Sequence, residues 1–426
     1  MDVITLTLLA ISLIIVFGFF AELLFRKLSI PDVLFLIILG FVLGPNVLNY
    51  VSAESLGRIA PVFTTFTLMF LIFDGAFNIH LSTLIREFSN SLVLTSYNFV
   101  LSSLLITLIF YVAGIWMGGF SFLTSLLVGF LLGGVSSSFS IPILRQLKIS
   151  PRLYSLLTLE SALTDVFCIV FSLTIIKLIQ LGSFGVQATA VQIISQFAIG
   201  GLIGIVAGII WAFLVLKVFK EHNYMVAIAY LIFVYVLAEF LKGSGAIAAL
   251  FFGLVLKNSK QLSSILVGLK STRAIEKRKA LRGDLGVSIT TPSEQYFYHQ
   301  ISFFVKTFFF VYIGVLINLS DWKALLLGGL ISFTIMGSRM TSLLLTRKME
   351  PGGEDLINAV FARGLAAAAI AQTAVLAGLN HAAFISKVTY VVITGTIILS
   401  SIKVFIVKRK IPVKKEGKPV KKEGKK

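Results

Sequence analysis

Two carboxylates five positions apart, Glu160 and Asp165, lie inside an apolar run from Leu153 to Leu178. Asp165 is followed directly by Val166-Phe167-Cys168-Ile169-Val170. An acid at membrane depth is costly, and where one is retained the default reading is an ion or proton site. On a helix Ser161 and Asp165 stand i,i+4 and share a face, with Thr164 beside them. Glu160 points about 140° around the helix from Asp165. The two acids therefore meet different neighbours. Asp165 has the setting of a cation or proton site, and Glu160 that of a structural ion pair. Lys306, Arg339 and Arg363 are the cations in other apolar runs that could serve as its partner.

The preceding apolar run contains Gly133-Gly134-Val135-Ser136-Ser137-Ser138-Phe139-Ser140-Ile141-Pro142. Glycines, serines and a proline this close together make a poor continuous helix. A break at mid-bilayer frees backbone N–H and C=O groups, which is tolerated only against protein or a water-filled cavity. Arg363-Gly364 opens a second small-residue segment, Leu365-Ala366-Ala367-Ala368-Ala369-Ile370-Ala371-Gln372-Thr373. Two interrupted spans in the two halves of a chain mark an inverted-repeat transporter with its site at the midplane.

These residues need a membrane around them, and the composition supplies the reason. The chain has 426 residues, 57% of them hydrophobic and only 13% charged, with mean hydropathy +0.97. The charged share is about half that of a soluble domain. At about 20 residues per span, thirteen candidates emerge. They lie near 3–25, 31–50, 61–79, 91–116, 122–145, 153–178, 187–216, 224–241, 243–257, 300–318, 322–345, 355–379 and 384–407. The fold class is thus an all-α polytopic membrane protein. Met1-Asp2-Val3 leads into the first span without the basic start or cleavage site of a signal peptide. Basic residues concentrate in alternate loops, after spans one, three, five, seven, nine, eleven and thirteen. The positive-inside rule then puts the N-terminus outside and the C-terminus in the cytoplasm. The loop 258–299 carries an amphipathic surface helix over 261–282 or is a plain connector.

The formal charge of +18 is divided among short loops and the tail Lys408–Lys426, which argues against nucleic-acid binding. The tail either touches anionic headgroups or stays solvated and only fixes orientation. Cys168 is the sole cysteine, so no internal disulfide can form. The four histidines fit no zinc spacing. No nucleotide-binding glycine pattern and no nucleophile–base set is present, so the sequence reads as neither an enzyme nor a cofactor protein.

Several motifs, in order, resemble the monovalent cation:proton antiporters, especially the archaeal and bacterial NhaP-type sodium/proton exchangers. They are Ile30-Pro31-Asp32 with Leu39-Gly40 and Leu43-Gly44-Pro45; Phe73-Asp74-Gly75-Ala76-Phe77; Glu160-Ser161 with Thr164-Asp165; Lys306 with Phe309, Phe310 and Gly314; and Arg363-Gly364. The resemblance implies that Asp165 binds the cation (Na+, or K+ or Li+) and the proton. Ser161, Thr164 and groups of the broken fifth span, Ser136 and Ser137, would help coordinate it. It implies that Glu160 pairs with Arg363 and that Lys306 tunes the site. It also implies thirteen helices and a homodimer in the cell membrane. Segments 91–180 and 319–408 would form a core that moves against scaffold and linker segments 1–90 and 181–318, with 409–426 as a basic cytoplasmic tail. In two places the sequence departs from the family pattern. Thr164 stands where the family has Asn, and Val135-Ser136-Ser137 stands where it has Thr-Asp-Pro. The expected activity is Na+/H+ exchange by competition at one aspartate, one for one and electroneutral. The alternatives are K+/H+ exchange on the same fold and Na+-coupled symport of an organic anion.

Overall fold

A computed structural model describes residues 3–28, 31–50, 60–76, 81–147, 149–181, 186–215, 224–258, 292–342 and 353–410. The amphipathic helix weighed for 261–282 and the tail beyond 410 lie outside the described residues. Fifteen helices run through the described chain. They are α1 (Val3–Leu28), α2 (Asp32–Leu43), α3 (Ala60–Ala76), α4 (Leu81–Met117), α5 (Phe122–Leu131), α6 (Ser137–Gln146), α7 (Pro151–Leu181) and α8 (Val186–Leu214), followed by α9 (Tyr224–Phe240), α10 (Gly245–Lys257), α11 (Pro292–Leu316), α12 (Trp322–Met340), α13 (Gly353–Ala359), α14 (Leu365–Leu376) and α15 (Ala382–Lys410).

Each of the thirteen expected spans has its counterpart, and spans five and twelve are each split in two, as α5/α6 and α13/α14. Ser91–Met117, Leu153–Gln180, Ile194–Leu214, Tyr296–Leu316 and Ala382–Arg409 are long and apolar enough to cross a membrane unaided. The others are shorter. Span two stops as a helix at Leu43, because Pro45 has no N–H with which to continue it. The junction of α9 and α10 is as tight as the sequence indicates. Lys242 turns there at φ 62°, and the Glu239 carboxylate accepts the Gly245 N–H at 2.8 Å.

Large apolar side chains stand exposed along the outer helices, among them Leu13, Phe19, Leu104, Ile115, Phe213 and Phe233. In water this surface would be untenable; against lipid tails it is solvated. Polar groups turn inward instead. Asn98, Glu160, Ser161, Thr164, Arg339 and Arg363 are all buried.

Two hydrophobic clusters organise the interior. The smaller joins α3, α8, α9, α10 and α11 around Phe70, Phe73, Phe252 and Tyr298. The larger runs through both broken spans and the helices beside them, with α4, α5 and α7 packed together and α12 packed on α4 and α15. α14 packs against α15, α7 and α3, while α2 and α11 lie side by side. That last contact depends on Gly40 and Gly314. A Cβ on Gly40 would collide with the Val311 carbonyl, and one on Gly314 with the Ile37 carbonyl. Small residues at both positions let the two backbones touch.

Candidate ion-binding site

The two broken spans cross at their breaks. Residues 132–136 leave the helix between α5 and α6, and residues 360–364 leave it between α13 and α14. The freed backbone groups satisfy one another. The Ser136 N–H donates to the Ala362 carbonyl at 2.9 Å, and the Arg363 guanidinium Nη1 donates to the Gly134 carbonyl at 2.5 Å. The Arg363 N–H donates to Thr396 Oγ1 at 3.0 Å. Two helix C-termini end here and two N-termini begin, so the buried Arg363 charge sits where the carbonyl ends of α5 and α13 need a cation. Gly364 is required by proximity, since a Cβ there would land on the Ser136 hydroxyl.

The sequence placed the disruption across 133–142, but helix resumes at Ser137. Pro142 lies inside α6. It cannot donate to the Ser138 carbonyl one turn back, and both residues line the cavity described next.

α7 passes beside the crossing and carries Asp165. Its carboxylate Oδ2 accepts the Ser137 hydroxyl at 2.5 Å and the Ser137 N–H at 3.3 Å. The positive end of α6 thus faces the acid. Asp165 lines a cavity of about 370 Å³, together with Ser136, Ser137, Asp74, Asp32 and Lys306. Glu22, Arg145, Gln146 and His299 line it toward the ends of their helices. These lie on the side of the molecule where α1, α3 and α6 end and α7 and α11 begin. Lys306 Nζ is 2.6 Å from Asp32 Oδ2 and so is committed to α2, not to Asp165.

Three sequence expectations change in the structure. Glu160 does not pair with Arg363. Its Oε1 meets Arg339 Nη1 in a close bond, its Oε2 accepts Arg339 Nη2 at 2.8 Å, and Asn98 Nδ2 donates at 2.8 Å. Arg339 Nε also holds the Ile357 carbonyl at 2.8 Å. One buried pair thereby ties α4, α7, α12 and α13 together. The reason is angular: Glu160 points away from the crossing where Arg363 sits and toward α4 and α12. Ser161, expected beside the cation, is fully buried and donates to the Thr158 carbonyl at 3.0 Å. The cavity face of α7 consists of Ala162, Asp165, Val166 and Ile169. Its centre lies about 90° from Ser161 at 100° per residue. Thr164 serves the break itself, where its hydroxyl accepts the Val135 N–H at 3.0 Å and donates toward the Val135 and Ser161 carbonyls.

Asp74, at the end of α3, was legible only as part of a motif. The structure puts it in the Asp165 cavity, where it makes no ion pair with a described residue. No signal in the sequence short of pairing α3 with α7 and α14 would have brought these acids together.

The family profile described as "sodium/hydrogen exchanger, transmembrane" matches residues 11–409. The chain is 24% identical over 264 residues to the K(+)/H(+) antiporter NhaP of Alkalimonas amylolytica, covering 61% of this chain and 45% of that protein. It is 28% identical over 159 residues to the probable Na(+)/H(+) antiporter 3 of Methanocaldococcus jannaschii, covering 36% of this chain and 38% of that one. The matches thus span less than half the length of these curated relatives. The structure is similar to that of the sodium proton antiporter MjNhaP1 from Methanocaldococcus jannaschii at pH 8, with TM-score 0.73 and 20% identity, covering 94% of this chain and 100% of that one. A second structure, from an electron-microscopy map of MjNhaP1, gives TM-score 0.71 at 18% identity, over 98% and 100% of the two chains.

Proposed function

The chain belongs to the transmembrane sodium/hydrogen exchanger family, and on that premise we propose that it exchanges Na+ for H+ by competition at Asp165. One observation carries the reading. Asp165 is the acid at the crossing of two broken spans, it lines the cavity, and among the described residues only neutral donors from Ser137 hold it. Each candidate cation is engaged elsewhere: Arg339 with Glu160, Arg363 with Gly134, Lys306 with Asp32.

Sodium needs the ionised carboxylate, and a proton fills the same place. Either guest leaves the site without bare charge, whereas an empty, ionised site is costly to carry through a low-dielectric barrier. This cost prevents leak. Ser136 and Ser137 offer hydroxyl oxygens to the ion, and the Ser138 carbonyl, which Pro142 cannot bond, adds a backbone oxygen. Asp74 puts a second acid in the same cavity.

The moving part consists of spans 91–180 and 319–408, which hold both broken helices, α7 and the Glu160–Arg339 pair. The spans of 1–90 and 181–318 form the frame. Positions 26 and 27 at the end of α1, Arg145 at the end of α6 and position 152 at the start of α7 are basic, and they lie on the side where Glu22, Arg145 and His299 line the cavity. By the positive-inside rule that side is cytoplasmic, with the N-terminus outside. A homodimer in the cell membrane goes with this reading.

The exchange is one for one. The test is current in proteoliposomes under a sodium gradient: its absence alongside dye-reported proton movement fits Asp165 as the single exchanging acid, and a robust current means that Asp74 titrates with it. Potassium is the second reading, favoured by the Alkalimonas relative whose name gives K(+)/H(+) exchange. Dequenching of a pH dye by Na+, K+ or Li+ in turn decides between the ions.

A further inference from the structure

We propose that Asp32 keeps the exchange site free for its cargo by holding Lys306, a tethered monovalent cation, away from Asp165. The inference rests on the reading of Asp165 as the cargo site and adds a positioning residue to it.

An ammonium and a carboxylate of opposite charge line one cavity of about 370 Å³. Lys has a flexible four-carbon stem and a compact charge, so its head can reach more than one partner. Lys306 is nevertheless bound at 2.6 Å to Asp32. Its side chain is only 16% exposed and Asp32's only 6%. An ammonium this enclosed must have an anion.

The backbone fixes which anion it takes. α2 and α11 touch at Gly40 and Gly314, where no larger residue fits. Asp32 lies eight residues before Gly40, and Lys306 eight residues before Gly314. Two parallel helices locked at one level therefore bring these two side chains to a second common level two turns away. Asp32 also occupies the first turn of α2 directly after Pro31, where the helix end favours a carboxylate. Neither helix carries Asp165. Once the Asp32 charge is removed, the ammonium remains in the cavity with Asp74 and Asp165, and of these two Asp165 is the one at the break, where the cargo binds.

The experiment is cation-dependent exchange in proteoliposomes with Na+ and with K+. In Asp32→Asn the KM for the cation rises about tenfold. The maximal rate is regained at saturating cation, because a tethered rival is displaced by free ions. Adding Lys306→Gln to Asp32→Asn returns the KM to that of Lys306→Gln alone. A general loss of folding would instead lower the maximal rate at every cation concentration. An unchanged KM in Asp32→Asn overturns the proposal, as that would mean the ammonium moves to Asp74 or stays in place. A lost maximal rate that Lys306→Gln does not change also overturns it. If exchange survives Asp165→Asn, it is the underlying site assignment that falls, and the two failures are thereby told apart.

Discussion

Glu160 and Asp165 are carboxylates on one helix, less than two turns apart, and the protein treats them in opposite ways. Glu160 is enclosed by Arg339 and Asn98 and is joined through them to three other helices, α4, α12 and α13. Among the described residues Asp165 meets no cation; it receives one serine's hydroxyl and N–H and opens on a cavity. An acid with a permanent cation partner cannot take another, so Glu160 can only hold structure. An acid held by neutral donors can trade guests. The proposed exchange uses both conditions: an exchangeable charge, and a fixed charge that ties the surrounding helices together.

The largest contrast should appear on neutralising each acid. Asp165→Asn is expected to abolish cation-dependent proton movement in vesicles while leaving thermal unfolding of the purified protein unchanged. Glu160→Gln should do the reverse first, lowering stability by about 3–5 kcal/mol because Arg339 is left as an unpaired buried charge. Thermal unfolding in detergent measures this, and replacing Arg339 by Met in the same protein should recover much of the loss. If Glu160→Gln is fully stable, or Asp165→Asn still exchanges, the division of labour between the two acids is wrong.

A smaller effect belongs to the crossing that presents Asp165. Arg363→Gln removes a charged hydrogen bond to the Gly134 carbonyl, a loss of about 1.5–3 kcal/mol. The maximal exchange rate should fall with stability, since the break loses its brace. Pro142→Ala supplies the N–H that the Ser138 carbonyl lacks and should raise the cation KM severalfold without slowing saturated exchange. An unchanged KM would exclude that carbonyl from the ligand set.

The smallest effect comes from an ion pair at the edge of the fold. Asp321 caps α12 and is 2.9 Å from Lys387. The Lys387 hydrogen bond holds its carboxyl below the usual carboxylate range. A lowered folded pKa means that the stabilisation is present above the ordinary value of about 3.9 and is lost as pH falls through the lower, folded value. Only that acidic window should reveal it. Asp321→Asn should cost about 0.2–1 kcal/mol at neutral pH and leave exchange untouched. Thermal unfolding at pH 7 and in the acid range would measure both.

The sequence alone determined the multi-pass membrane fold, the succession of helical segments, the location of both breaks to within a few residues, and the placing of Asp165 and Glu160 on different sides of α7. These follow from local rules: about 20 apolar residues per crossing, 100° per helical residue, and the inability of Gly- and Pro-rich runs to stay helical. Only the tertiary structure decided which cation each acid meets. Arg339 and Arg363 were equally available along the chain, yet two hydrogen bonds, one of 2.8 Å, give Arg339 to Glu160, while Arg363 braces the break. The same holds for the turning of Ser161 away from the cavity, the arrival of Asp74 in the cavity of Asp165, and the pairing of Lys306 with Asp32 two turns from the Gly40–Gly314 contact. Partners distant in sequence are chosen by how helices pack and rotate, and no single helix carries that information.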